Sequence, residues 1–555
     1  MDRLWLANYP EGVAPEIEDQ GNKTIVDIFE RSCARFGPNI AYTNMGATLT
    51  YSELEQRSRQ FAAFLQHQAG LTKGDRVALM MPNLLQYPIA LFGILRAGMV
   101  AVNVNPLYTA RELAHQLKDA EASAIVIVEN FAATLEQVID DLSLGTIITT
   151  RIGDCQPPFK RLLVNLAVKY IKKMVPAFTL PGATNFNAAL AQGRQQPMQP
   201  VTLDANDTAF LQYTGGTTGA AKGACLLHRN IVANIAQCDA WLAASTEAGN
   251  ERIITALPLY HVFALTANCL VFLQLGGSNA LVTNPRDIPG LIKVFARHRP
   301  TAFTGVNTLF NALINNDDFS TLDFSALRLT LGGGAAVQRT VAERWKALTG
   351  VPLIEAYGLT ETSPAAIINP LDLADYNGSI GLPIPSTQAT IRDDNGNDLE
   401  QGQTGELCIA GPQVMAGYWQ KPEDNAKGFC ADGAFRTGDI ARMDANGFFY
   451  IVDRKKDMIL VSGFNVFPNE IEDVVAGHPG VLEVACIGIP HEKSGEVVKL
   501  FIVKKDADVS KDSIMAYCRD NLTGYKVPKA IEFIDKLPKS NVGKILRKEL
   551  RGHNA

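Results

Sequence analysis

Through most of the first 450 residues, short apolar runs rich in β-branched side chains alternate with longer stretches whose apolar positions recur at helical spacing. Ala124-Ile-Val-Ile-Val128 and Ile253-Ile-Thr-Ala-Leu257 predict strands, and Tyr51 to Gln68 predicts an amphipathic helix. This alternation is the α/β pattern. From Gly405 the texture shifts to short strands and turns, as in Gly405-Glu-Leu-Cys-Ile-Ala410 and around Asp444-Ala-Asn-Gly447, which predicts a small antiparallel sheet or distorted barrel. The charged run Asp453-Arg-Lys-Lys-Asp457 then precedes about 100 residues with their own β/α alternation, a common size for a domain. The expected division is a large domain over 1–453, a hinge over 454–456 and a small α+β domain over 457–555.

A chain of 555 residues exceeds the size at which one core keeps growing, so several subdomains are expected. The 47% hydrophobic and 19% charged composition is ordinary, and a net charge of −6 over this length does not suggest nucleic acid. The nine cysteines form no CxxC pair and read as mostly buried thiols in a reducing cytosol. The start, Met1-Asp-Arg-Leu-Trp5, lacks the parts of a secretory signal, so a cytoplasmic location is expected. The most apolar window, Tyr87 to Val104, is broken by Arg96 and reads as a packed helix and strand rather than a membrane span.

One segment departs from the pattern. On a helical wheel Arg161, Lys169, Lys172 and Lys173 share one arc, and Leu163, Val164, Leu166, Val168, Tyr170, Ile171, Met174 and Val175 fill the other. Such a helix either covers a domain core or lies in an anionic membrane surface.

The segment richest in chemistry, Tyr213-Thr214-Gly215-Gly216-Thr217-Thr218-Gly219-Ala220-Ala221-Lys222-Gly223, follows the apolar stretch Ala209-Phe-Leu-Gln212 and precedes His228-Arg-Asn-Ile-Val232, and the whole reads as strand, loop and helix. Its glycines permit a nest of backbone N–H groups, to which hydroxyls and the Lys222 ammonium add, and polyphosphate is the natural ligand. A Walker A loop is excluded, because Ala221 and Gly223 stand where that motif needs glycine and a hydroxyl residue.

This segment resembles the phosphate loop of the adenylate-forming superfamily of acyl-CoA synthetases, luciferases and peptide-synthetase adenylation domains. Further motifs follow in that family's order: Pro258-Leu-Tyr-His261, Gly332-Gly333-Gly334-Ala335-Ala336, and Glu355-Ala356-Tyr357-Gly358-Leu359-Thr360-Glu361. Arg436-Thr-Gly-Asp439 and Asp453-Arg454 come next, at expected strand ends, and Leu537-Pro-Lys-Ser-Asn-Val-Gly-Lys544 follows near the C-terminus. The resemblance implies two α/β sheets and a small β-barrel-like subdomain in the large domain, with a small domain that rotates about a hinge at Lys456. It implies ATP, Mg2+ and coenzyme A as cofactors. Lys544, His261 and Thr360 are then catalytic, Glu361 and Thr214 metal ligands, and Tyr357 an adenine wall. Glu355, Ala356, Gly358, Gly333, Gly334 and Ala335 border nucleotide and acyl group, Asp439 with Arg454 takes the ribose, and Gly463 leaves room for the thiol arm.

The chemistry supports these assignments. A carboxylate attacking the α-phosphorus of ATP meets a polyanion, so metal and ammonium groups must neutralise charge and hold an in-line geometry. A carboxylate can accept two hydroxyl hydrogen bonds at once, which suits Asp439 to a ribose diol.

Residues 432–472 also resemble bacterial long-chain fatty acid:CoA ligases, as do Leu79 to Gln86, Val102 to Tyr108 and Thr283 to Gly290. The implied reaction forms a fatty acyl-adenylate and then acyl-CoA. Small residues at Gly332, Gly333, Gly334, Ala335 and Ala264 would leave a tunnel walled by Phe263, Phe303, Val306 and Phe310. Burying a long acyl tail at about 0.8 kcal/mol per methylene gives an upper bound of about 12 kcal/mol, so substrate that partitions into membranes is expected. The expected partners are a long-chain fatty acid, coenzyme A, the inner face of the membrane and a second copy of the chain in a homodimer. Two other readings stay open: a fatty acyl-AMP ligase that loads a carrier protein, and a non-catalytic lipid-binding regulator.

Overall fold

The computed structural model describes residues 3–214, 221–454, 457–462, 464–491, 494–540 and 543–552. Two large sheets form the body of the protein. The first runs Leu382–Pro383, Ala365–Ile368, Leu353–Gly358, Leu329–Gly333, Ala302–Gly305, Arg252–Thr255, Ser278–Leu281, Ile40–Asn44 and Ala47–Thr50. The second runs Thr184–Asn185, Thr146–Thr150, Ala124–Val128, Arg76–Met80, Val100–Asn103, Thr208–Thr214 and Lys222–Leu227. Both are parallel through their centres, and their central strands are buried along nearly their whole length, as parallel strands covered on both faces must be.

The local signals explain where helices begin. Thr50 accepts from the amide of Glu53 while the Glu53 carboxylate accepts from the amide of Thr50, a capping box that starts Tyr51–His67. The apolar window of the sequence divides as expected into the helix Gln86–Arg96 and the strand Val100–Asn103. Arg96 is buried there, and its guanidinium is held by Glu55 and by Ser58 Oγ at 3.0 Å.

The segment after Gly405 contributes to a four-stranded antiparallel sheet, Gln388–Arg392, Thr404–Ala410, Phe435–Met443 and Phe449–Arg454. A five-stranded sheet follows, built on the long hairpin Val481–His491 and Gly495–Lys504 with its own apolar core. Of the expected hinge, residues 455 and Lys456 lie outside the described residues. The described acidic ends of the charge run, Asp453 and Asp457, are buried rather than solvated. Asp453 is fully buried and accepts from the amides of Arg454 at 2.6 Å and Asn469 at 3.1 Å.

The helix predicted near residues 160–175 exists as Pro158–Leu166 continuing into one π-helical turn, Ala167–Ile171. The reading in which it covers the core is not met, because no residue of either piece is buried. Ile171 is 79% exposed and Phe159 76%.

Behind the first sheet, Trp345 is fully buried among aromatic rings, with Phe310 at 4.7 Å, Phe319 at 5.6 Å and Phe303 at 6.1 Å between centroids. Replacing so large a buried ring leaves a cavity that rigid neighbours cannot fill. Trp345→Ala should cost about 3–5 kcal/mol of unfolding free energy, read as a lowered urea midpoint; a loss under about 1 kcal/mol would show that the cluster does not carry the sheet.

Candidate active site

One cavity of about 1600 Å3 opens at the carboxyl ends of the parallel strands, where α/β sheets gather their ligands. It is larger than the roughly 300–1000 Å3 of a single-ligand pocket, which leaves room for two substrates. The described sequence-predicted residues converge on it: Tyr213, Thr214 and Lys222 from the second sheet, and His261, Gly333, Gly334 and Ala335 from the first. Glu355, Ala356, Tyr357, Gly358, Thr360 and Glu361 join them, as do Asp439, Arg454 and Lys544. Gly215, Gly216, Thr217, Thr218, Gly219, Lys456 and Gly463 lie outside the described residues.

The expected strand and helix flank the phosphate segment, Thr208–Thr214 before it and His228–Leu242 after it, with one strand between them that the sequence did not predict. Lys222 begins a second strand, Lys222–Leu227, antiparallel to Thr208–Thr214 and in register with Thr214; the helix starts only at His228. The short run Gly-Ala-Cys-Leu-Leu has no helical period, and Gly223 lets the Tyr213 ring lie against the backbone, where a Cβ would sit 3.0 Å away. Pairing with Thr214 places Lys222 at the cavity. Its ammonium pairs with Asp424 and stands 5.4 Å from the Tyr418 ring centroid. The Tyr213 hydroxyl donates to Asp119 at 2.8 Å, so this residue anchors the strand while its ring borders the cavity.

Glu355 to Glu361 runs from the strand Leu353–Gly358 into a short 3-10 turn, Thr360–Thr362. Gly358 is required by close approach, since a Cβ there would lie 1.9 Å from the Pro364 carbonyl oxygen. The Tyr357 hydroxyl donates to Asp439 Oδ2 at 2.6 Å, and Arg454 Nε pairs with Asp439 Oδ1 at 3.1 Å. Asp439 is not at a strand end. It lies inside Phe435–Met443 at a register shift, directly opposite Arg454. Glu361 is buried, its carboxyl raised by desolvation and held by the Tyr418 hydroxyl at 2.7 Å. An oxygen donor set of Glu361 and Thr214, completed by phosphate oxygens and water, suits Mg2+.

His261 sits at the cavity wall on a loop pinned from the other sheet. Asn83 Nδ2 donates to the Leu257 carbonyl at 2.9 Å, Asn83 Oδ1 accepts from the Leu259 amide at 2.8 Å, and Gln212 Nε2 donates to the Tyr260 carbonyl at 2.8 Å. Burial, with the nearby Lys544 charge, lowers the imidazole to about 4, so it is neutral at physiological pH. Lys544 arrives from the C-terminal segment. Gly543 has φ +82° and its carbonyl accepts from Thr308 Oγ1 at 3.0 Å, and a Cβ there would stand 2.9 Å from that hydroxyl.

The apolar arm of the cavity corrects the expected tunnel. Phe263, Phe303 and Val306 line it, but Phe310, Gly332 and Ala264 do not. Phe310 turns into the Trp345 cluster, where it stacks edge-on, and a Gly332 Cβ would meet Val337 rather than the cavity. The remaining wall comes from the π-helical segment Ala264–Leu270 and its neighbours, with Ala267, Val271 and Phe272, and from Cys238 and Leu242 on His228–Leu242. These residues, like Tyr418, Asp424 and Asp119, carry no motif spacing. Tyr418 is 57 residues from its partner Glu361, and only the fold brings the two together.

The sequence pattern of the AMP-binding enzyme family matches residues 29–419, and that of the AMP-binding enzyme C-terminal domain matches 470–544. The chain belongs to the AMP-binding enzyme family. It is 59% identical over 552 residues to a long-chain-fatty-acid–CoA ligase of Escherichia coli O157:H7, covering 99% of this chain and 98% of that protein. The long-chain-fatty-acid–CoA ligase of Bacillus subtilis is 38% identical, covering 98% and 97%. Among solved structures, an anthranilate CoA ligase in complex with anthranoyl-AMP superposes with a TM-score of 0.84 at 26% identity, covering 96% and 97%. ATP-bound MatB from Rhodopseudomonas palustris does so with 0.80 at 28%, covering 95% and 98%.

Glu355, which lines this cavity, is buried in protein. Burial pushes its carboxyl from 4.5 up to about 8, with Asp473 adding to the rise and the Val337 amide, 3.1 Å away, opposing it. Between those values the folded chain keeps a proton that the unfolded chain has lost, so stability falls as pH rises through that window. Glu355→Gln keeps the acceptor and removes the ionisation. The melting temperature of the variant should gain on the parent by several degrees from pH 5 to 8.5; a gap independent of pH would refute the assignment.

Proposed function

We propose that the protein activates a long-chain fatty acid with ATP through an acyl-adenylate and transfers the acyl group to coenzyme A, releasing AMP and pyrophosphate. The observation that carries this reading is the single cavity in which nucleotide-type groups and a deep apolar arm meet at Lys544 and His261. Asp439 exchanges its Tyr357 contact for the ribose diol, and Arg454 stays paired with that carboxylate. Glu361 and Thr214 would hold Mg2+, which would neutralise phosphate charge. Lys222 and the loop 215–219 cradle the leaving phosphates, and Thr360 lies beside the α-phosphate. Neutral His261 borders the carboxylate without adding charge, while Lys544 offsets the negative charge that builds during attack.

Thioester formation then needs Lys544 withdrawn and the thiol admitted. Rotation of 457–555 about Lys456 does both, bringing Gly463 to the acyl-adenylate. Incubation with ATP, palmitate and coenzyme A should yield palmitoyl-CoA; AMP release without it would favour a carrier-loading ligase. Lys544→Ala should lower acid-dependent pyrophosphate exchange about 100-fold or more and leave thioester formation from supplied palmitoyl-adenylate within a few-fold. Equal loss in both steps would remove the two-state scheme.

The segment 158–174 supplies the encounter with substrate. Among the described residues no helix is long and apolar enough to cross a membrane, yet Phe159, Leu162, Leu163, Leu166, Tyr170, Ile171 and Met174 all stand exposed beside Lys169, Lys172 and Lys173. Exposed apolar side chains rimmed by cations fit an anionic lipid surface. ATP and coenzyme A as co-substrates set this surface on the cytoplasmic face. Charge reversal at Lys169, Lys172 and Lys173 should abolish sedimentation with anionic vesicles and leave turnover of short soluble acids unchanged; unaltered sedimentation would overturn the assignment.

A further inference from the structure

The four-stranded sheet next to the ribose site carries a feature that adenylate chemistry does not use. Cys408, on Thr404–Ala410, and Cys430, after the helix Pro422–Gly428, are 22 residues apart in sequence, and their sulfurs are in contact at 3.9 Å. Cys408 is buried and Cys430 is half-buried. The guanidinium groups of Arg392 and Arg436 both lie close enough for their charges to act on Cys430. Glu406 and Asp432 neutralise those guanidiniums in part: Arg436 pairs with Glu406 at 3.3 Å, and Arg392 holds Asp432 through two hydrogen bonds. A partly exposed thiol among cations, touching a second thiol that water does not reach, is the arrangement of an attacking and a resolving cysteine.

We propose that Cys408 and Cys430 are a reversible thiol–disulfide pair that tunes the nucleotide site. The oxidant is a low-molecular-weight disulfide such as oxidised glutathione. Cys430 thiolate attacks one of its sulfurs, forming a mixed disulfide and expelling one glutathione thiolate. Cys408 then gives up its proton and attacks the Cys430 sulfur, expelling the second. Two protein thiols and one oxidised glutathione become one protein disulfide and two glutathione thiols.

Bond formation requires the two sulfurs to close by about 2 Å. The strand that must give is the one supporting Asp439. The Leu407 carbonyl accepts from Thr437 Oγ1 at 2.8 Å, Glu406 Oε1 accepts from the Gly438 amide at 3.2 Å, and Thr437 Oγ1 accepts from the Asp439 amide at 3.1 Å. On the far side, the helix preceding Cys430 carries Asp424, the partner of Lys222. Oxidation therefore pulls on both flanks of the nucleotide site.

The test equilibrates the native full chain in oxidised and reduced glutathione, quenches it with acid and maps its peptides by mass spectrometry. A Cys408–Cys430 linkage is expected, reversed by dithiothreitol. Cys408→Ser should instead accumulate glutathione on Cys430, and Cys430→Ser should leave Cys408 unmodified. Absence of the linkage, or equal glutathione on Cys408 and Cys430, overturns the pair. A kinetic arm rests on the proposed ATP-dependent activity: the oxidised parent should show a KM for ATP at least threefold higher, while Cys408→Ser/Cys430→Ser is indifferent to oxidant. A linkage without any change in KM overturns the tuning. Peptide mapping does not depend on catalysis, so it separates failure of the pair from failure of the proposed activity.

Discussion

Asp439, in contact with Tyr357 on one side and Arg454 on the other, joins three parts of the chain at one buried point. Tyr357 ends a strand of the nine-stranded sheet, Asp439 lies within the antiparallel sheet, and Arg454 is the last residue before the C-terminal segment. A carboxylate so shielded from water is costly without a cation and a donor, and both are supplied from different elements. Each partner constrains the others. If the antiparallel sheet moves relative to the nine-stranded sheet, the carboxylate loses its hydroxyl donor; if the chain after Arg454 moves, its counter-charge is disturbed.

The C-terminal segment is held by contacts of the same kind. Arg547 donates to Glu472 and Asn469 and pairs with Asp457, and Arg551 also reaches Asp457. Asp453 is raised to about 6 by burial, with the Arg547 charge opposing that rise. The helix that follows the Lys544 loop is thus tied to the residues flanking 455–456. A lysine at the end of such a loop would otherwise be positioned by little more than its backbone. Here Thr308 clasps the adjoining carbonyl, and the ion pairs hold the start of the next helix.

Much of the site was legible because its parts are local. Glycines that allow close approach, a carboxylate three residues beyond a glycine, and a lysine following a turn glycine are each set by a few neighbouring residues, and the structure gathers the described ones into one cavity. The errors have a common cause. The strand Lys222–Leu227 was missed because pairing with Thr208–Thr214 is not a local signal. Phe310 was placed in the acyl wall because chain position says nothing about which face of a helix turns toward Trp345. Tyr418, Asp424 and the walls from Cys238, Leu242 and Phe272 had no signature at all.

The sequence by itself determined the α/β alternation, the order of the chemical motifs and the groups able to meet ATP, since hydrophobic period and residue chemistry act over a few positions. It also marked 160–175 as two-faced. Tertiary structure decided that both faces of that segment stay exposed, which residues wall the apolar arm, and that Lys544 stands beside His261. Those outcomes depend on packing between elements hundreds of residues apart, where the deciding free energy belongs to pairs of surfaces and not to any one segment.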